Sequence, residues 1–528
     1  MSLFIAKNII RTAVATSAMV FLTACPLNLS SNKSSSSYTP EYSKNTCPME
    51  TSEDLDVVCG TLTVPENRSK TGNGKQVKLA VATIRSQSES PEPDPVIYLH
   101  GGPGGIALEF ADDFASLFQE ILESRDVILL DQRGNGYSTP KLSCPEIDEA
   151  TRAGLKENAS SSQMQNKVIS SFISCRDRLT DENIELEAYN LKENLADIND
   201  LRKALNIAQW NLYGVSYGSL VAQGLMSKYP KGIRSVTLDS VVHPDENVAN
   251  VEEAKALDHN LSSLFARCES QSSCSTRYPI LETRFWDEVD HLEESPQDIR
   301  LVSEEFEIDH DVSFEGKDLL SYAQLKLEFS SSQNIPYRMD RAIKGFYSDV
   351  LKEMHDDLKD SSASFGTTLS TLCTQYTFNG IETLTVDPLS VNQTIIDSVI
   401  DSYNSTLLLC NTWNTNKAYK INVSISANNI PTLVLAGEFD VRTPSADAET
   451  VSQLLNIAYF VEIPDAGHGA IFNSCSREIN KSFLIDPFIP PNMQCIDEVE
   501  PLVFFKPKVK STLETELESS WKKWPFLR

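Results

Sequence analysis

Basic residues are scarce in this sequence: 46 Lys and Arg stand against 74 Asp and Glu, leaving a formal charge of −28 over 528 residues. A nucleic-acid partner would require a neutralising basic surface, so no nucleic acid is expected among its ligands. Long hydrophobic runs are missing as well. Without a stretch of about eighteen apolar residues, a membrane-spanning helix is not expected. Histidine is rare, at seven residues, and the eleven cysteines form neither a Cys-x-x-Cys pair nor a His/Cys cluster, which removes the familiar zinc patterns. Neither a Gly-x-Gly-x-x-Gly register nor a Gly-Lys-Ser/Thr ending is present, so a dinucleotide or phosphate loop is disfavoured. What remains is globular in composition, 41% hydrophobic and 23% charged. The chain is long enough for a large core carrying a sizeable insertion, or for two domains.

The N-terminal text reads as an export signal. Lys7 and Arg11 precede an apolar run from Thr12 to Ala24, too short for a stop-transfer helix. Leu22-Thr23-Ala24-Cys25 resembles a bacterial lipobox, in which Cys25 would be acylated and become the mature N-terminus. Residues 1–24 are then the signal peptide, and the Ser- and Asn-rich residues 25–46 a flexible tether. Beyond Cys25, ten cysteines remain, an even number suited to an oxidising compartment. Connectivity is open from sequence, and pairing of neighbours is the expectation: Cys47 with Cys59, Cys144 with Cys175, Cys268 with Cys274, Cys373 with Cys410 and Cys475 with Cys495.

From Cys59 onward the pattern alternates. Thr61–Val64 and Val77–Ile84 flank a turn-rich segment and predict a hairpin, followed by short buried-strand runs at Val96–Leu99, Val127–Leu130, Trp210–Tyr213, Val236–Leu238, Thr432–Ala436 and Tyr459–Ile463. Helical stretches separate several of them, which argues for a mostly parallel sheet. Leu191, Leu195, Ile198, Leu201 and Leu205 recur at helical spacing and should cover that sheet. Between about 241 and 425 the strand rhythm gives way to polar helical text, including 250–268, 280–292, 317–327 and 338–358. This is read as a helical cap, dividing the core into residues 47–240 and 426–528.

Gly214-Val215-Ser216-Tyr217-Gly218 lies between a predicted strand and a predicted helix. In that context it forms a nucleophile elbow, a turn that exposes the serine hydroxyl. A serine hydroxyl needs a base, and the base needs a carboxylate to hold its tautomer. Asp440 stands where the Thr432–Ala436 strand runs out into a loop, with Glu438 as the competing acid; Asp440 is preferred because two further residues carry it past the strand end. Only His468 follows Asp440, in a glycine-flanked loop after the last predicted strand. His100-Gly101-Gly102-Pro103-Gly104-Gly105 follows the Val96–Leu99 strand and would supply an oxyanion donor at Gly102, or failing that Gly101, alongside the Tyr217 amide. Asp131–Ser138 is read as a brace for these loops, and the acids Glu252, Glu253, Glu304 and Glu305 as a solvated face that could also meet a substrate amine.

Together, His100–Gly105, Asp131–Ser138, Gly214–Gly218, Asp440 with Thr443-Pro444, and Gly467–Gly469 resemble the prolyl iminopeptidases and secreted tripeptidyl aminopeptidases over about residues 47–500. The resemblance implies an α/β-hydrolase fold, with a mostly parallel central sheet flanked by helices and a large helical cap inserted. It further implies peptide substrates with a free N-terminus, no metal and no organic cofactor. Ser219, and the run Leu238–Pro244, depart from the family's usual text without touching the triad. A carboxylesterase would use the same three residues, and an inactive binding lipoprotein is the remaining alternative. A dehalogenase or epoxide hydrolase would carry aspartate in place of Ser216. Pro26 beside Cys25 favours the periplasmic side of an outer membrane or the cell surface.

Overall fold

The structure is a computed structural model that describes residues 38–157, 159, 161–244, 251–303, 308–329, 332–356, 364–375, 391–413, 422–425, 429–498 and 502–504. The signal peptide, Cys25, most of the tether, Glu304 and Glu305 lie outside them.

Nine strands form one sheet: β1 (Glu41–Lys44), β2 (Val57–Pro65), β3 (Gln76–Ile84), β4 (Val96–Leu99), β5 (Val127–Leu130), β6 (Trp210–Ser216), β7 (Ile233–Val241), β10 (Thr432–Gly437) and β11 (Ala458–Ile463), with β8 (Gln297–Ser303) and β9 (Ile308–Phe314) pairing separately as a hairpin. The order across the sheet is β1-β2-β3-β5-β4-β6-β7-β10-β11. The first three strands and the β3/β5 pair are antiparallel, and every pair from β5 through β4, β6, β7 and β10 to β11 is parallel. Strands β4, β5 and β10 are buried along their whole length, as parallel strands covered on both faces must be. The mostly parallel sheet expected of an α/β-hydrolase fold is therefore present. Because β4, β6, β7, β10 and β11 are parallel neighbours, the loops leaving their C-terminal ends gather on one rim.

Helix α1 (Leu191–Ala204) begins at Asn190, whose side chain accepts from the Glu193 amide, and buries Leu191, Leu195, Ile198 and Leu201. Its other side carries buried carboxylates held in ion pairs. Arg68 pairs with Glu193 and Asp200, while Arg133 forks onto Asp197 at 2.7 and 2.8 Å. The remaining helices used below are α2 (Tyr217–Lys228), α3 (Val251–Ser270), α4 (Gly316–Phe329), α5 (Phe365–Gln375), α6 (Gln393–Trp413) and α7 (Ser474–Ile485).

Three local expectations need correction. The tether was read through residue 46, yet Glu41–Lys44 pairs with Thr63–Gly60 of β2, since an edge strand can be held by main-chain bonds that need no aliphatic periodicity. The segment between β7 and β10 is mainly helical but carries the β8/β9 hairpin. The single helix expected at 338–358 is two, Ile335–Ile343 and Tyr347–Asp356; the first closes with a bond from the Phe346 amide to the Arg341 carbonyl across a left-handed Gly345.

Disulfides join Cys47–Cys59, Cys144–Cys175, Cys268–Cys274, Cys373–Cys410 and Cys475–Cys495. Each links cysteines adjacent in sequence order, contributing about 2–4 kcal/mol apiece by restricting the unfolded chain. Among the described residues, no helix is long and apolar enough to cross a membrane.

Candidate active site

β6 ends on Ser216, which adopts φ +56° and ψ −126° before α2 begins at Tyr217. A non-glycine residue at positive φ is strained, and here the surrounding packing enforces it. A side chain at position 218 would put its Cβ 1.9 Å from the Leu99 carbonyl, so only glycine lets α2 pass this close to β4. The Ser219 hydroxyl donates to the Ser216 carbonyl at 2.6 Å and accepts from the Val242 amide at 2.9 Å. That departure from the family's usual residue is thus a brace that ties the elbow to the end of β7.

The glycine-rich loop after β4 is held from several sides. Asp131 accepts from the amides of Ala107 at 2.7 Å, Leu108 at 3.1 Å and Tyr137 at 2.8 Å. Gln132 donates to the His100 carbonyl at 2.9 Å, and Asn135 to that of Gly105 at 3.2 Å. Helix α5 reaches the loop too: the Thr368 hydroxyl donates to the Pro103 carbonyl at 2.7 Å, and the Ser364 amide to that of Gly104 at 3.1 Å. His100 is buried, and burial pushes its imidazole down to about 3, so it stays neutral. Gly102 is exposed while Gly101 is buried.

Asp440 and His468 meet at the ends of β10 and β11. The His468 Nδ1 lies 3.0 Å from Asp440 Oδ1 and 2.9 Å from Oδ2, with both side chains buried. Oδ1 also accepts from the amides of Arg442 at 3.0 Å and Thr443 at 2.9 Å, and Oδ2 from the Thr443 hydroxyl at 2.7 Å. Burial alone would raise the Asp440 carboxyl, but the charge and hydrogen bond of His468 together with the Thr443 donors outweigh it and hold the group below its usual value. Asp440 is an anion, and its bond to Nδ1–H makes Nε2 the acceptor nitrogen of the neutral ring. The competing acid, Glu438, is engaged elsewhere: it pairs with Arg267 and accepts from the Asp465 amide at 3.0 Å.

The Ser216 and His468 loops share the rim through β7. Ser216 registers with Val241, and the preceding Ser240 accepts from the Gly469 amide at 2.7 Å. Asp239 accepts from the Ala470 and Ile471 amides at 2.7 and 2.8 Å. Sequence reading passed over Asp239, Ser240, Thr368, Arg267 and Glu328, all of which touch these loops from distant parts of the chain. The departure at Leu238–Pro244 was the one textual signal for the first two.

Of the acids considered for a substrate amine, Glu252 pairs with Lys255 at 2.7 Å, and Glu253 lines a small cleft with Leu257, Gln324, Ile395, Ser398 and Ser402. Among the described residues, the one grouping of metal-ligand atoms is Cys144, Glu146 and Cys175, whose sulfurs are bonded to each other and offer no thiolate.

In comparison with known proteins, residues 94–278 match a family model described as alpha/beta hydrolase fold and residues 397–495 match one described as TAP-like protein. The tripeptidyl aminopeptidase of Streptomyces lividans is 29% identical over 201 residues, 36% of either chain. The putative hydrolase YuaR of Escherichia coli is 27% identical over 229 residues, 42% of this chain and 44% of its own. The serine protease Hip1 of Mycobacterium tuberculosis is 24% identical over 226 residues, 41% and 42% of the two chains. The matches thus span between a third and a half of the length of these relatives.

Proposed function

We propose that this chain, whose fold is that of the α/β hydrolases, is an exported serine aminopeptidase that removes residues or short peptides from a free N-terminus. The observation that carries the reading is the bonded Asp440–His468 pair on the rim where β6 delivers Ser216 in its strained turn. In the proposed cycle the Ser216 hydroxyl attacks the scissile carbonyl while His468 Nε2 takes its proton. Asp440 holds the ring and stabilises the imidazolium. The amides of Tyr217 and Gly102 receive the developing oxyanion, each donor being worth about 2.7–4 kcal/mol of transition-state stabilisation. His468 then returns the proton to the leaving amine, and water attacks the acyl-serine by the reverse route.

Peptide substrates are supported by the TAP-like match at 397–495 and by the relatives named as a tripeptidyl aminopeptidase and a serine protease. Export is supported by the disulfides and by the signal-like N-terminus, and lipid attachment at Cys25 by the Leu22–Cys25 text alone. The mainly helical segment 241–425, with its β8/β9 hairpin, acts as the cap over the rim, inserted between a core that begins at the Glu41–Lys44 strand and its continuation from 426.

The test uses the purified mature protein and its Ser216→Ala variant on free and N-blocked prolyl, alanyl and tripeptidyl amides, with short-chain esters beside them. Turnover of free-amine amides that disappears with Ser216→Ala and with N-blocking is the expected result. Ser216-dependent turnover of esters alone would replace the peptidase reading with a carboxylesterase.

A further inference from the structure

Two side chains from the helical segment reach the loops that carry Asp440 and His468. Arg267, near the end of α3, forks between Glu438, two residues before Asp440, and Asp465, three residues before His468. Its guanidinium also lies 5.2 Å from the centre of the Phe439 ring. Glu328, near the end of α4, is buried and accepts from Arg442 Nε at 2.6 Å and from Gln324 at 2.9 Å. The Arg442 main-chain amide in turn holds Asp440 Oδ1. The Glu328 carbonyl accepts the His468 amide at 3.0 Å, and a Cβ at Gly467 would come within 2.2 Å of that carbonyl oxygen, so the helix end and the loop are in direct main-chain contact.

We infer that Arg267 and Glu328 are positioning residues for the Asp440–His468 pair, clamping the acid-bearing and base-bearing loops together from the helical segment. The inference rests on the reading of Ser216, Asp440 and His468 as the reacting groups. The clamp has a charge logic. Glu438 and Asp465 sit on the two loops with Arg267 between them. Without the guanidinium the facing carboxylates repel and shift the side-chain-bearing loop ends, while the main-chain bonds from the Glu438 amide to the Ile463 carbonyl and from the Phe439 amide to the Ala466 carbonyl still tie the loops together. A displacement of about 1 Å at reacting groups is enough to cost about 100-fold in rate.

The experiment compares wild type, Arg267→Met, Arg267→Lys, the double variant Arg267→Met with Glu438→Gln, and Glu328→Gln. Two readouts are taken: the rate of Ser216 phosphonylation by a fluorophosphonate, together with kcat and KM on a turned-over substrate, and the downfield proton resonance of the His468–Asp440 hydrogen bond. Arg267→Met should slow phosphonylation and kcat by about 10- to 100-fold with KM within about twofold, and should shift or broaden the resonance. Arg267→Lys should recover part of the loss, and removing the Glu438 charge in the double variant should recover more than Arg267→Met alone retains. Glu328→Gln should act in the same direction and more weakly, since its carbonyl contact survives. An unmoved resonance, a loss confined to KM, or a double variant worse than Arg267→Met would overturn the clamp. A wild-type protein that is not phosphonylated at Ser216 would instead overturn the proposed function, and the resonance would still decide whether Arg267 positions the pair.

Discussion

Replacing Asp440 by Asn keeps the shape of the side chain and changes one acceptor into a donor. In the native arrangement both carboxylate oxygens accept: Oδ1 from the Arg442 and Thr443 amides, Oδ2 from the Thr443 hydroxyl, and both from His468 Nδ1. The two main-chain donors fix the asparagine carbonyl at the Oδ1 position, which leaves its NH2 facing Thr443 Oγ and the ring. The Thr443 hydroxyl can turn to accept. His468 can accommodate the amide only by presenting an unprotonated Nδ1, which moves its proton to Nε2, the nitrogen that must act as base. The expected loss in kcat is about 10,000-fold, or about 5.5 kcal/mol at 1.36 kcal/mol per decade. The assay is kcat and KM for Asp440→Asn and Glu438→Gln, with active enzyme counted by phosphonate titration of wild type. Glu438→Gln should remain within about tenfold of wild type, because Glu438 contacts Arg267 and the Asp465 amide and not the ring. If Asp440→Asn kept more than a tenth of wild-type kcat while Glu438→Gln collapsed, the assignment of the acid would be wrong.

Two further outcomes follow from the supports of the site. Burial pushes the Asp239 carboxyl up to about 6 from an ordinary 3.8, so the folded state holds its proton more tightly than the unfolded chain. The stabilisation this gives is complete below about pH 4 and lost as pH rises through about 6, amounting to at most about 3 kcal/mol. Urea midpoints of wild type and Asp239→Asn at pH 4.5 and 7 should therefore differ in their pH dependence, the variant gaining relative to wild type at the higher pH; parallel curves would refute it. Gly104→Ala would force a side chain onto φ +104° and bring its Cβ 2.5 Å from Thr368 Oγ, so the oxyanion loop must shift. A kcat reduced by about 100-fold with little change in the thermal midpoint is expected from kinetics and melting, whereas an unchanged kcat would remove this loop from the chemistry.

The strands that carry the site were legible because buried parallel strands write themselves as short apolar runs bounded by turns: Val96–Leu99, Val127–Leu130 and the Trp210 strand are all found where the text places them. The edge strand Glu41–Lys44 was not legible, since its pairing uses main-chain atoms that every residue owns. Cysteine number pointed to disulfides and left their connectivity open, with neighbour pairing as the expectation; packing of the helices is what brings Cys373 to Cys410 across 37 residues of sequence.

By itself the sequence determined the local chemistry of this protein: a serine in a glycine-flanked turn, an acid beyond a strand end, a histidine in the last loop, and an excess of acidic charge. These are properties of residue type and spacing along a few consecutive positions. Only the tertiary structure decided which acid meets the ring and what holds the loops in place. Asp440 bonds the His468 ring, while Glu438 is paired with Arg267, 171 residues away from it in the chain. Thr368, Asp239 and Glu328 reach the same rim from other helices and strands, through hydrogen bonds whose partners lie more than a hundred positions apart. Such contacts depend on how the helices dock against the sheet, and no local pattern of residues encodes them.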